Sequence, residues 1–207
     1  MKFDESRLAE LRRSVSEGMS QKRFVHTAAV EEMARRIGEL YLPREVDVLR
    51  AAALLHDITK EYSADKQLQI CREFGIIISK QDMLTPKTFH AKTAAALIPV
   101  LYPDFADEDV ISAVRWHTTG RAGMTLLEKI VYLADYIDES RTFADCVALR
   151  ALFWDAEPQT MREEERLAHL NRVLIRSFDM TLASLIEEGA PVSDDTFSAR
   201  NWLIVEA

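Results

Sequence analysis

Turn-forming residues are scarce: the chain has six Gly and six Pro in 207 residues, about half their usual combined share of roughly 12%. Tight hairpins need a positive or a fixed φ, so a sheet-rich architecture with many turns is excluded, as are collagenous and linker-rich ones. Cysteine is nearly absent. Cys71 and Cys146 stand far apart and in no CxxC pattern, too few for a disulfide framework and in keeping with a reducing compartment. No apolar run approaches the roughly 18 residues of a membrane span, and the N-terminal MKFDESRLAELRRSV has no apolar core of a secretion signal. Basic charge is in deficit, 26 Lys+Arg against 34 Asp+Glu for a net −8. That argues against a nucleic-acid or anionic-membrane partner, but leaves room for a phosphorylated small molecule at one local basic site. A cytoplasmic location is the expectation.

What is abundant is helical periodicity. With 48% hydrophobic and 29% charged residues the chain can bury a sizeable core. Val30, Met33, Ile37 and Leu40 repeat at the spacing of a buried stripe, predicting a helix over 20–41. Pro43 breaks it, and a very apolar second helix comes next over 45–59. Ser63 caps a third that ends near Gly75, and the β-branched GIIIS (75–79) has no partner run and reads as loop. Further helices are expected over 88–101 and from Asp107 to about His117. Thr125-Leu-Leu-Glu128 and Thr160-Met-Arg-Glu163 match capping boxes opening helices to about Glu139 and Glu188, with a last helix over 194–205. The fold class is all-α: one compact helical bundle over 1–207, with a metal-binding core at about 20–140 and a C-terminal helical part at about 141–207.

The chemistry lies in where the histidines fall. His26 shares the stripe of Val30 and Met33, and His117 stands in the same relation to Val110 and Val114. His56 ends the run AAALL and is followed at once by Asp57; Asp135 interrupts IVYLADYI. A buried carboxylate without a partner is costly, so each calls for a counter-charge or a metal. Taken singly, His26 and His117 are ordinary core histidines, Asp135 a salt-bridge partner, His90 an exposed helix-start residue, and His169 has no carboxylate nearby. Taken together, His26, His56-Asp57, His90, His117 and Asp135 supply six ligands. Imidazole with carboxylate suits Fe, Mn, Zn or Ni and disfavours Ca or Mg. Six ligands exceed the needs of one open catalytic ion; with Asp57 bridging they match two, the arrangement that serves phosphoryl transfer.

The order H…HD…H…H…D resembles the HD superfamily of metal-dependent phosphohydrolases. The segments RFVHT (23–27), ALLHDITK (53–60), RWHTTG (115–120), LEKIVYLADYIDESR (127–141) and ARNWLI (199–204) are similar to one branch, the symmetrical bis(5'-nucleosyl)-tetraphosphatases of the YqeK type, over nearly the whole chain. The resemblance implies hydrolysis of diadenosine tetraphosphate to two ADP at a di-iron centre. One departure is Asp138-Glu139-Ser140-Arg141, where the branch has Glu-Pro before a short step to Arg. It leaves open how the loop before Arg141 is held.

On this reading one ion sits on His26, His56, Asp57 and Asp135 and a second on Asp57, His90 and His117, with a metal-activated hydroxide attacking a central phosphorus. Asp57 and Lys60 are the catalytic residues. Lys60, four residues after His56, is read as a phosphate ligand rather than a surface lysine at a helix end. Arg23, three before His26, shares its face. Asp138 and Arg141 step by three from Asp135 and are expected at the pocket rim, or simply as a salt bridge. Thr118, Thr119 and Gly120 either contact phosphate or end the helix. Two other readings compete: an HD phosphohydrolase acting on a nucleoside monophosphate, cyclic nucleotide or alarmone, and a non-catalytic nucleotide sensor. Thr59-Lys60 stands where alarmone hydrolases carry acidic residues, which weakens that case. A homodimer is left open.

Overall fold

The computed structural model describes residues 2–206, and among them the chain forms ten α-helices and no strand. In order these are α1 (Glu5–Glu17), α2 (Gln21–Tyr41), α3 (Val46–Leu55), α4 (Ala64–Glu73), α5 (Phe89–Leu101), α6 (Glu108–Trp116), α7 (Leu126–Ile137), α8 (Ala144–Trp154), α9 (Glu163–Glu187) and α10 (Asp194–Glu206). No helix is long and apolar enough to cross a membrane among these residues.

Helix α3 is the hub. Its sequence VDVLRAAALL is apolar on nearly every side, which makes it a buried rather than an amphipathic helix. It packs against α1, α2, α6 and α7, and every residue of 51–55 is at zero exposure. The approach of α2 is closest at Gly38, where an added Cβ would lie 2.5 Å from Leu49 Cδ1; glycine is what lets these two axes come together. Helices α5 and α6 pair beside α7, while α8 and α9 pack on α7 and on each other and α10 packs on α9. Leu149, Phe153, Leu174, Phe178 and Leu203 from these last helices belong to the same buried cluster as the residues of α3.

Local signals explain most boundaries. Ser20, Ser63 and Thr125 each accept from a backbone N–H three residues on, and Glu128 returns the bond to the Thr125 N–H in a full capping box. The segment 75–79 is loop, as its sequence suggests. Three expectations need correction. The second helix ends at Leu55 rather than 59, because His56–Lys60 form successive turns closed by bonds such as Lys60 N–H to Asp57 O at 3.0 Å. Thr160 does not open a capping box. Glu157 adopts a left-handed φ of 53°, Pro158–Thr160 make a 3-10 turn, and the Thr160 hydroxyl donates to Glu157 O; the carboxylate that returns to the cap is Glu165, on Arg162 N. Finally, α1 and α8 add to the expected helices, and each carries an inward stripe: Leu8, Leu11 and Val15 in α1, Cys146, Leu149 and Phe153 in α8.

Candidate metal centre

Helix ends, not helix middles, hold the cluster. His56 and His117 are the first residues past α3 and α6, Asp135 lies in the last turn of α7, and His90 is the second residue of α5. His26 comes from the second turn of α2. Three helix C-termini therefore converge, and the partial negative charge there favours a cation. The carbonyls left over at these ends are also put to use. His56 Nδ1 donates to Ala53 O at 2.6 Å and His117 Nδ1 to Val114 O at 2.7 Å, each an i−3 carbonyl. His90 Nδ1 donates to Lys87 O at 2.8 Å.

A carbonyl can only accept, so all three imidazoles carry their proton on Nδ1 and present a bare Nε2. Such backbone bonds fix the tautomer and aim of metal-ligating histidines. His90 Nε2 and His117 Nε2 lie 3.1 Å apart. Burial, with Lys60 close by, pushes His90 down to about 4, and burial also holds His117 well below its ordinary value. Two neutral rings thus point lone pairs at each other, an arrangement that calls for a cation between or beside them. His56 Nε2 is buried with no hydrogen-bond partner at all, a cost that a metal would remove.

Asp57 joins the two halves. Its Oδ2 lies 3.4 Å from His56 Nε2 and 3.8 Å from His26 Nε2, while Oδ1 lies 3.4 Å from His90 Nε2 and 3.8 Å from His117 Nε2. Burial would raise its carboxyl, but His56, His90 and Lys60 hold it well below the usual range. Asp135 Oδ1 stands 3.0 Å from His26 Nε2 and 3.8 Å from His56 Nε2. Its carboxyl too is held down against burial, by Arg141 and by His26. Donor atoms of His26, His56 and Asp57, of His56, His117 and Asp135, and of Asp57, His90 and His117 fall within 4.8 Å of one another in each group. All six residues proposed as ligands from the sequence meet in one place, and their donor set fits a divalent transition metal.

The residues expected around them are placed less uniformly. Arg23 Nη1 donates to Asp57 Oδ2 at 2.7 Å, and Lys60 Nζ lies 3.2 Å from His90 Nε2. Arg141 Nη2 donates to Asp135 Oδ1 at 2.6 Å, and its Nε to Asp138 Oδ2 at 3.2 Å. The Thr118 hydroxyl is 3.0 Å from both His90 Nε2 and His117 Nε2. Asp138 is not at a rim: it is fully buried behind His26, with Oδ2 3.3 Å from His26 Nδ1. The reason is that α7 stops at Ile137 and Asp138 turns to φ −59°, ψ 155°, so a helical step of three from Asp135 no longer describes it. Gly120 ends the helix, with its φ at +64° and its N–H donating to Trp116 O at 2.9 Å. Thr119 lines the same cavity as Thr118, with its buried hydroxyl engaged by the backbone at Gly120 O. His169 lies apart, with Nε2 on Phe153 O.

Two supports have no mark in the sequence. The Ser140 N–H donates to Asp138 Oδ1 at 2.9 Å, closing the loop before Arg141. Arg150 of α8 then clamps that loop, Nε on Ile137 O at 2.7 Å and Nη2 on Arg141 O at 2.8 Å. An arginine seven residues into a helix without clear end signals stands out in no local pattern. Cavities open at both ends of the cluster. One of about 360 Å³ beside His26 is lined by Lys22, Arg23 and Arg141; one of about 410 Å³ begins at Thr118.

Comparison with known proteins agrees with this geometry. Residues 23–140 match the family of the HD domain, and the chain belongs to that family of hydrolase-like helical domains. It is 34% identical over 194 residues, 92% of this chain and 94% of the relative, to the symmetrical bis(5'-nucleosyl)-tetraphosphatase of Bacillus subtilis (strain 168). It is 31% identical to the protein of the same name from Halalkalibacterium halodurans, across 91% of this chain and 92% of that one. A crystal structure described as a predicted HD superfamily hydrolase involved in NAD metabolism, from Clostridium acetobutylicum, superposes with a TM-score of 0.82 at 29% identity, covering 96% of this chain and 97% of the other.

Proposed function

We propose that this protein is a cytoplasmic metal-dependent hydrolase that cleaves diadenosine tetraphosphate at its centre, giving two ADP. The observation that carries the reading is the division of the Asp57 oxygens between two histidine sets, beside guanidinium groups that face a cavity. The names of the relatives supply the substrate. His26, His56, Asp57 and Asp135 would hold one ion, and Asp57, His90 and His117 the second, with iron first and Mn, Zn or Ni suited to the same donors. When bound, two such ions neutralise charge on phosphoryl oxygens and acidify an attacking water.

The rest is done by the chain. Arg23 and Arg141 line the cavity next to His26 and offer fixed, planar donors that match phosphate oxygens. Both already lie against ligand carboxylates, Asp57 and Asp135, so their charge is held where the polyphosphate must arrive. Lys60 brings an ammonium to the other side of Asp57, beside His90, where it would hold a phosphate oxygen of the bound substrate. Asp138 keeps the His26 ring aimed, and Arg150 keeps Asp138 and Arg141 in register through their carbonyls. Positioning and electrostatics of this kind account for most of phosphoryl-transfer catalysis.

The test is to strip the protein with a chelator, reload it with Fe, Mn, Zn, Ni or Mg, and assay a panel of nucleotides by ion-exchange chromatography. Activity should return with the transition metals and be greatest on the dinucleoside tetraphosphate. Full activity without metal, or a preference for nucleoside monophosphates, cyclic nucleotides or alarmones, would overturn the assignment.

A further inference from the structure

Resting on that reading, we infer that the apolar cavity beginning at Thr118 is the nucleoside site, and that the C-terminal helices exist at this point to wall it. The cavity adjoins the metal cluster through Thr118. Thr118 lines it, and the same hydroxyl lies 3.0 Å from the Nε2 atoms of His90 and His117. Its near wall is the 84–88 segment that leads into His90; its far wall is the end of α9 and the start of α10, with Leu185, Ala190 and Thr196.

The lining separates nucleoside from phosphate. Leu84, Pro86, Leu185 and Pro191 give flat apolar walls, while Thr181 and Ser193 add hydroxyls that can donate or accept. Lys87 is its single charged lining residue. At about 410 Å³ the space suits a small organic group, since such sites run from about 300 to 1,000 Å³. At the opposite end of the cluster the cavity of about 360 Å³ is lined by Lys22, Arg23 and Arg141. A polyphosphate is drawn to that cationic end and would gain little from the apolar one. A substrate whose phosphates lie across the cluster therefore has one end that leaves the charged region at Thr118, and the groups beyond its last phosphate there are a ribose and a base. Leu185 is half-buried at the wall and becomes a specificity-determining residue: a larger side chain there occupies the space of the base without touching a metal ligand.

The experiment compares ADP with inorganic pyrophosphate by titration calorimetry on the full chain at fixed metal loading. It uses the natural protein, Leu185→Trp and, as a second filling variant, Ala190→Phe. The natural protein should bind ADP at least about tenfold more tightly than pyrophosphate, about 1.4 kcal/mol. In the filled variants that ratio should fall below about threefold while pyrophosphate affinity reports an intact fold and cluster. A natural protein with no preference for ADP, or filled variants that keep the full ratio, would overturn the nucleoside site. If the ratio collapses as expected but the natural protein does not cleave diadenosine tetraphosphate, the cavity stands and the functional reading fails instead.

Discussion

Asp138 keeps its charge at zero exposure because four donors reach it: His26 Nδ1, the Ser140 N–H and hydroxyl, and Arg141 Nε. Together they overcome burial and hold its carboxyl below the ordinary value. A carboxylate behind a ligating histidine aims the ring and raises its basicity, and losing it typically costs about 10- to 100-fold in metal affinity. Asp138→Asn should therefore weaken metal binding by about that factor in a chelator-competition titration. Unchanged affinity would return Asp138 to a plain salt-bridge role. Lys60 differs, since its ammonium touches His90 but is no ligand. Lys60→Ala should keep its metal content and show a raised KM for the tetraphosphate; a variant indistinguishable from the natural protein would remove Lys60 from the phosphate path. Most of the metal ligands are legible in the sequence because a histidine or aspartate is set into an apolar run, where the pattern wants neither; His90 is legible only from its place in the order H…HD…H…H…D. Asp138 is not, because its placement depends on where α7 stops, and helical spacing says nothing past that residue.

Among the elements, the turn after α6 is where backbone conformation and packing meet. Gly120 sits at φ +64°, and an added Cβ would come within 2.7 Å of Phe178 Cζ on α9 and 2.9 Å of Ala199 Cβ on α10. Gly120→Ala combines left-handed strain with overpacking of a closed site and should destabilise by about 2–4 kcal/mol, read as a lower urea midpoint. A midpoint within error of the natural protein would mean that α9 and α10 are not seated on this turn. The helices expected from strong periodicity and clear caps, α2 and α7 above all, have their expected bounds to within two residues. Helix α8 lacks such marks: Phe143 at its start offers no capping side chain, and its exposed face carries Val147 and Leu152. Its importance lies in Arg150, whose partners are carbonyls of a loop nine to thirteen residues earlier, a relation that only the folded chain reveals.

For the whole molecule, metal and proton compete for one centre. In the metal-free protein burial would lower His26, but Asp135 and Asp138 raise it from 6.5 to about 9. The folded state then binds a proton that the unfolded chain has released. That stabilisation is full below about pH 6.5 and is lost as pH rises through about 9. The thermal midpoint of the chelated protein should fall across this window, and His26→Asn should flatten the fall; an equal slope in both would show that another group titrates. The chain carries a net charge of −8, yet Lys22, Arg23 and Arg141 gather at one cavity mouth beside His26. What that mouth admits is decided most directly by hydrolysis of diadenosine tetraphosphate in ¹⁸O-water with mass analysis of the products. The account expects ADP alone, half of it carrying a single ¹⁸O. ATP with AMP, or no cleavage by the metal-loaded protein, would contradict it.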